Sequence, residues 1–212
     1  MSGSKLQQEI AKKETDLEKT VAKVMKKPEL LSEVFEGLGS DKARIKFGCV
    51  KVLRMISEKK PEILYPRMDF FSDLLGSDNN FLKWGAIHTI ANLAAADSER
   101  RFEVIFDKYF APIPGPELIS AGNVIRGAAK IALAKPELSD RIAKEILKVE
   151  KAKYQTAECH NVAMGHAIKS FDLFFDQIKD KEPVIKLIKK GLKNTRNATR
   201  KKAENFLRKW GD

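Results

Sequence analysis

Apolar residues recur along this chain at helical rather than strand spacing. Leu6, Ile10, Leu17, Val21 and Val24 fall on one stripe of an amphipathic helix expected over about 5–26, ending before Pro28. Beyond it the pattern predicts helix pairs at about 28–37 with 41–58, 61–75 with 79–96, 99–109 with 117–134, 137–152 with 155–178, and 182–192 with 196–210. Pro28, Pro61, Pro136 and Pro183 each fall near the first turn of the first helix in a pair. A missing N–H is harmless there, because the first amides of a helix have no carbonyl partner. Period-two runs of β-branched residues are absent, so sheet structure is not expected.

The pairs repeat. Leu38-Gly39-Ser40-Asp41 followed by Lys46-Phe47-Gly48-Cys49-Val50 aligns with Leu75-Gly76-Ser77-Asp78 followed by Lys83-Trp84-Gly85-Ala86-Ile87. In each copy Gly is suited to a left-handed helix C-cap, and Ser or Asp is suited to accept the orphan N–H groups of the next helix. The mid-helix Gly costs about 1 kcal/mol against Ala, which requires a compensating cause such as close approach of a neighbouring helix. Extending that small-residue position gives Gly48, Gly85, Gly127, Gly165 and Ala203, at separations of 37, 42, 38 and 38. The longer step contains Ala111-Pro112-Ile113-Pro114-Gly115-Pro116, a rigid loop inserted within one pair.

Over roughly residues 28–211 these features resemble HEAT and armadillo repeats, whose units run about 40–47 residues. The resemblance implies an all-α fold, a right-handed α-solenoid of about five HEAT-like helical hairpins with an N-terminal helix. Residues 1–27 form an N-terminal amphipathic capping helix on that reading, and 28–212 the repeat stack, in one domain overall. The apolar stripe of 5–26 is also compatible with a short dimer-forming seam, although it spans under four heptads and a monomer is favoured.

On the second helix of the first pair, Ile45, Cys49, Val52, Leu53 and Ile56 project to one face and Lys51 away from it. Equivalent positions in later pairs are His88, Lys130, Lys169 and, approximately, Arg208. Second helices line the concave surface of HEAT-like stacks, so the resemblance implies a basic row there, flanked by Lys46 and Lys83 and joined by Arg54 and Arg126.

Charge follows position. The net +11 divides into +3 over residues 1–27, +7 over 180–212 and about +1 between, which fits either polar outer faces of terminal helices or a surface for an acidic partner. With 43% hydrophobic residues the chain can bury a core, while no run approaches the roughly 18 apolar residues of a membrane span. Residues 1–13 lack the apolar segment of a secretory signal, and Cys49 and Cys159 stand far apart without a CxxC spacing. A soluble, cytoplasmic protein with reduced thiols is expected.

Chemistry is sparse. Cys159, His160 and His166 share one helix, but a structural zinc site needs four ligands in a closed tetrahedron. Cys159 and His160 point about 100° apart on a helix, unsuited to a nucleophile–base pair. Neither GxGxxG nor GxxxxGK[ST] occurs. Trp84, Trp210, Phe171, Phe174 and Phe175 are expected in packing, and no cofactor is implied. In size, charge and helical repeats the chain also resembles bacterial DNA alkylation-repair glycosylases, which hold DNA on a basic concave face. Those enzymes place an aromatic and a carboxylate in the groove, whereas beside Trp84 this chain offers His88. The expected function is therefore a non-enzymatic scaffold or adaptor binding an acidic protein or peptide. Nucleic-acid backbone binding is the alternative and glycosylase activity a third reading.

Overall fold

The computed structural model describes residues 3–211. The chain folds as two compact units, Met1–Arg101 and Phe102–Asp212. Within each, helices pair into hairpins and the hairpins stack.

The N-terminal unit opens with two helices rather than the single one expected over 5–26: α1 (Lys5–Ile10) and α2 (Leu17–Lys26). The polar run Lys12–Asp16 breaks the helix. Asp16 accepts hydrogen bonds from the backbone N–H of Glu18 (3.1 Å) and Lys19 (3.3 Å), and so starts α2 afresh. Both helices pack on α4, burying Leu6, Ile10, Val21 and Val24, whereas Leu17 stays partly exposed.

The first hairpin joins α3 (Leu30–Glu36) to α4 (Ala43–Lys59), and the second joins α5 (Pro61–Leu64) and α6 (Met68–Leu74) to α7 (Asn80–Leu93). The expected continuous helix over 61–75 is interrupted at Pro66 by a 3₁₀ turn, Tyr65–Arg67. Proline has no N–H for the ladder, and its ring collides with the preceding turn. The left-handed caps expected at Gly39 and Gly76 do not form, since Gly115 is the glycine with positive φ among the described residues. Gly39 instead closes a 3₁₀ turn, Gly37–Gly39. The serines stop short of the capping role expected: Ser40 Oγ accepts from Lys42 N and Ser77 Oγ from Asn79 N, each at 3.2 Å and each just before the helix, while Asn79 Oδ1 takes the first N–H groups of α7, from Phe81 and Leu82. Ile45, Cys49, Val52, Leu53 and Ile56 are all buried, and burial pushes the Cys49 thiol up to about 12.

The C-terminal unit contains three hairpins. They are α8 (Arg101–Phe110) with α9 (Leu118–Ala134), α10 (Ser139–Leu147) with α11 (Ala157–Phe174), and α12 (Glu182–Gly191) with α13 (Asn197–Trp210). Helix α8 begins at the last residue of the N-terminal unit, and its apolar face belongs to this one. Phe102, Phe106, Tyr109 and Phe110 are buried and meet edge-on or tilted, with Phe102 and Tyr109 centroids 5.5 Å apart. The Pro-rich loop lies between α8 and α9. Its Gly115 adopts φ +101°, open to glycine and strained for other residues, and Lys153 N donates to Pro114 O at 3.0 Å.

Close approach accounts for the mid-helix glycines. A side chain at Gly48 would overlap Ile10, and one at Gly85 would overlap Val50. At Gly165 an added Cβ would lie 2.8 Å from Thr199 Oγ1 and 3.3 Å from Lys202 Nζ. Helix propensity is sacrificed for helix–helix packing.

Candidate anion-binding site

In the C-terminal unit the second helices of successive hairpins lie side by side, α9 against α11 and α11 against α13. Two buried hydroxyls hold them in register. Ser170 Oγ on α11 donates to Ile125 O on α9 at 2.8 Å, and Thr199 Oγ1 on α13 donates to Asn161 O on α11 at 2.8 Å. Each pins one helix against a carbonyl of its neighbour, so the side chains between them converge reproducibly.

What converges is basic. His166, half-buried on α11, sits over Gly122 of α9, where an added Cβ would lie 3.3 Å from its ring. Arg126 Nη1 approaches His166 Nε2 at 3.4 Å, while Arg126 Nη2 donates to Asn123 Oδ1. From the other side, Lys202 of α13 reaches over Gly165, and Lys169 projects one turn beyond His166. Lys169 and Lys202 make no hydrogen bond or ion pair among the described residues. Arg196, at the N-cap of α13, closes one edge through an ion pair with Glu158.

Electrostatics follow from this crowding. Burial and the positive charges of Arg126, Lys202, Lys169 and Arg196 push the His166 imidazolium down to about 4, so the ring is neutral at pH 7. Lys202 is also lowered, by burial and by Lys169 and Arg196, and burial lowers Arg126. The free protein thus gathers Arg126, Lys169 and Lys202, with Arg196 at the edge, around an imidazole held neutral.

The residues singled out in sequence distribute unevenly around this cluster. Lys169 and Arg126 belong to it. Lys130 is exposed on α9, one turn past Arg126, and Arg208 lies further along α13, donating to Asn205 Oδ1 at 2.7 Å. Lys51, His88, Lys46 and Lys83 belong to the N-terminal unit, on α4 and α7, with Lys51 exposed and the others half-buried. Arg54, beside them, pairs with Glu58 at 3.7 Å. That α4–α7 face is aromatic as well as basic. Phe47 and Phe81 lie 4.3 Å apart by ring centroid, and Phe81, 53% exposed, stands 5.5 Å from Trp84. His166, Lys202 and Arg196 were not singled out in sequence as site residues. A usable signal was there: Arg126 and Lys202 immediately precede, and His166 immediately follows, the small-residue positions Gly127, Ala203 and Gly165.

Two groups of basic residues stand out within the +7 excess of residues 180–212. Lys186, Lys189 and Lys190 line the exposed side of α12, with Lys193 just beyond its end, and Lys190 pairs with Glu150. Lys202 turns into the cluster, and Arg196 stands at its edge, paired with Glu158. Among the described residues, His, Cys, Asp and Glu nowhere gather as a metal-binding group. His160 is occupied otherwise, its Nε2 lying 3.3 Å from Glu150 O. Trp210 packs on Phe175 at 5.4 Å and donates to Asp172 Oδ1 at 2.8 Å.

Solved structures share this architecture. A designed armadillo repeat protein superposes with a TM-score of 0.59 at 15% identity, covering 96% of this chain and 90% of its own. An engineered protein superposes with a TM-score of 0.54 at 14% identity, over 96% of this chain and 86% of its own. The fold is an armadillo-like all-α solenoid. No protein-family model matches the sequence, and no curated protein matches it. Among the described residues, no helix of this solenoid is long and apolar enough to cross a membrane.

Proposed function

We propose that the protein is a non-enzymatic scaffold that holds an acidic segment of a partner protein on the α9–α11–α13 face of its C-terminal unit. One observation supports this most directly. Arg126, His166, Lys169 and Lys202 from three helices are concentrated on one surface, with Lys169 and Lys202 lacking counter-ions among the described residues. Such mutual repulsion works against folding, and an anionic partner relieves it. The helical-repeat architecture suits the role, since stacked hairpins present an extended surface for a partner. Cys49 and Cys159, both free thiols, fit a reducing cytoplasmic setting for this adaptor, acting as a monomer.

The test uses the charge-reversed double variant K169E/K202E. Cross-linking and pull-down with the wild type should recover an acidic partner, and a glutamate-rich peptide should bind with affinity that falls as salt rises. The double variant should lose both. Equal capture by wild type and variant would refute the reading.

A second reading, binding of a nucleic-acid backbone, is favoured by the α4–α7 face of the N-terminal unit. There Phe47, Phe81 and Trp84 form an aromatic ledge beside Lys46, Lys51 and Lys83, the pairing of stacking surface and cations that suits single strands. It requires that single-stranded DNA bind with a steep log–log salt dependence and that F81A weaken it. Absence of a gel shift at about 50 mM salt removes this reading.

A further inference from the structure

The cluster on the C-terminal unit is more selective than a general acidic-segment surface needs to be. Its cations do not form a row. Arg126 of α9, His166 of α11 and Lys202 of α13 meet over Gly122 and Gly165, and Lys169 of α11 lies near enough to act electrostatically on both His166 and Lys202. The glycines keep the floor low, because a side chain at either position would meet His166 or Lys202. A carboxylate offers such a site one negative charge and two coplanar oxygens. A phosphodiester likewise carries one negative charge per phosphate. A phosphomonoester brings nearly two charges and three strong acceptor oxygens in tetrahedral array, able to reach donors on three helices at once.

We infer that Arg126, His166, Lys169 and Lys202 form a receptor for a phosphomonoester dianion, carried as a phosphoserine or phosphothreonine on the partner polypeptide. The inference rests on the reading of this face as the partner-binding surface. Arg126 supplies a planar guanidinium already oriented by Asn123, so part of its ordering cost is met before binding. Lys169 and Lys202 supply point charges free of competing ion pairs. Arg196, committed to Glu158, bounds the site rather than filling it.

His166 adds a proton-coupled contact. In the free protein Nε2 faces the Arg126 guanidinium, which can only donate, so the nitrogen there carries a lone pair. The charged groups acting on the ring are Arg126 from α9, Lys169 from its own helix, and Lys202 and Arg196 from α13. A dianion among them reverses the sign of the local field, and the ring then gains a proton and becomes a further donor. Binding is accordingly accompanied by proton uptake and strengthens as pH falls from neutrality toward 6, until the phosphate itself begins to protonate.

The full chain should be titrated with peptides of about ten residues, Gly/Ser-rich and carrying at one position phosphoserine, Ser or Glu, and with oligothymidylate and dimethyl phosphate. Calorimetry in two phosphate-free buffers of different ionisation enthalpy reads proton uptake, and NMR reads the His166 ring. The phosphoserine peptide should bind at least about tenfold more tightly than the Glu peptide. It should take up protons near pH 6, and the His166 ring, near 4 in the free protein, should titrate at least about two pH units higher in its presence. K169Q and K202Q, checked for an unchanged amide spectrum, should each weaken phosphoserine binding about tenfold. Equal binding of Glu and phosphoserine peptides through this face overturns the phosphate inference and leaves the scaffold reading standing. Tighter binding of oligothymidylate or dimethyl phosphate overturns it in favour of a diester. No binding by any anionic peptide overturns both readings.

Discussion

Arg126 Nη1 stands 3.4 Å from His166 Nε2, a permanent cation against an imidazole nitrogen that must keep its lone pair to accept it. The two side chains come from different hairpins, and their juxtaposition makes His166 the most sensitive reporter of this face.

The first consequence is a pH dependence of stability. His166 titrates near 6.5 when unfolded and near 4 when folded, so between those values the unfolded chain binds more protons. The stabilising contribution is complete above about pH 6.5 and is lost as pH falls toward 4. The whole shift corresponds to roughly 3 kcal/mol, and partial exposure of the ring reduces it to on the order of 1–2 kcal/mol. Urea denaturation from pH 7.5 to 4.5 should show this decline, and H166Q should flatten it.

Removing a neighbouring charge should move the ring in the opposite direction. In the ligand-free protein, K202Q deletes one of the cations that suppress the imidazolium, so His166 should titrate at higher pH than in wild type. NMR titration of the ring protons measures this directly. An unmoved midpoint would show that burial alone sets it.

Gly165 should resist substitution although it lies within a helix. Alanine would gain about 1 kcal/mol of helix propensity. Its methyl would press on Thr199 Oγ1, which is buried and committed to Asn161 O at 2.8 Å. Overpacking of this kind costs about 1–3 kcal/mol, so G165A should be destabilised by about 1 kcal/mol net. G39A is the control, because nothing lies within 4 Å of the added Cβ and φ is not positive there. It should be neutral or slightly stabilised in thermal melts.

The N-terminal unit has its own polar lock. Tyr65 donates its hydroxyl proton to buried Asp97 Oδ1 at 2.8 Å and accepts from Glu99 N at 3.2 Å, while Arg101 N donates to the same carboxylate oxygen at 2.8 Å. Y65F leaves the carboxylate one donor short, at a cost of about 1–3 kcal/mol. Denaturant unfolding should show that loss with an unchanged slope.

Much of this was legible in the chain before any packing was known. The stripe Ile45, Cys49, Val52, Leu53, Ile56 follows from 3.6-residue periodicity, which is a local property of the helix. The recurrence of Gly48, Gly85, Gly127 and Gly165 at steps of 37, 42 and 38 announced close helix contacts, because a repeated penalty needs a repeated cause. The break at Pro66 was also written in the sequence, through a missing N–H and a ring clash, although the surrounding apolar pattern reads straight through it.

The basic row shows where that legibility stops. A helical projection separates Lys51 from its buried face and finds Lys130 and Lys169 at similar phase, but phase is measured against the helix's own axis. It does not say how each helix is rotated or shifted against its neighbour. Those degrees of freedom are decided by contacts such as Ser170 to Ile125 O and Thr199 to Asn161 O, made between residues 45 and 38 positions apart. The sequence alone determined that the chain is a stack of helical hairpins, that its glycines mark close packing and that its surface is basic. Sequence already set Arg126 beside the row that holds Lys169; only the tertiary structure brought His166 and Lys202 to them, because convergence of side chains depends on the register between helices, which no single helix encodes.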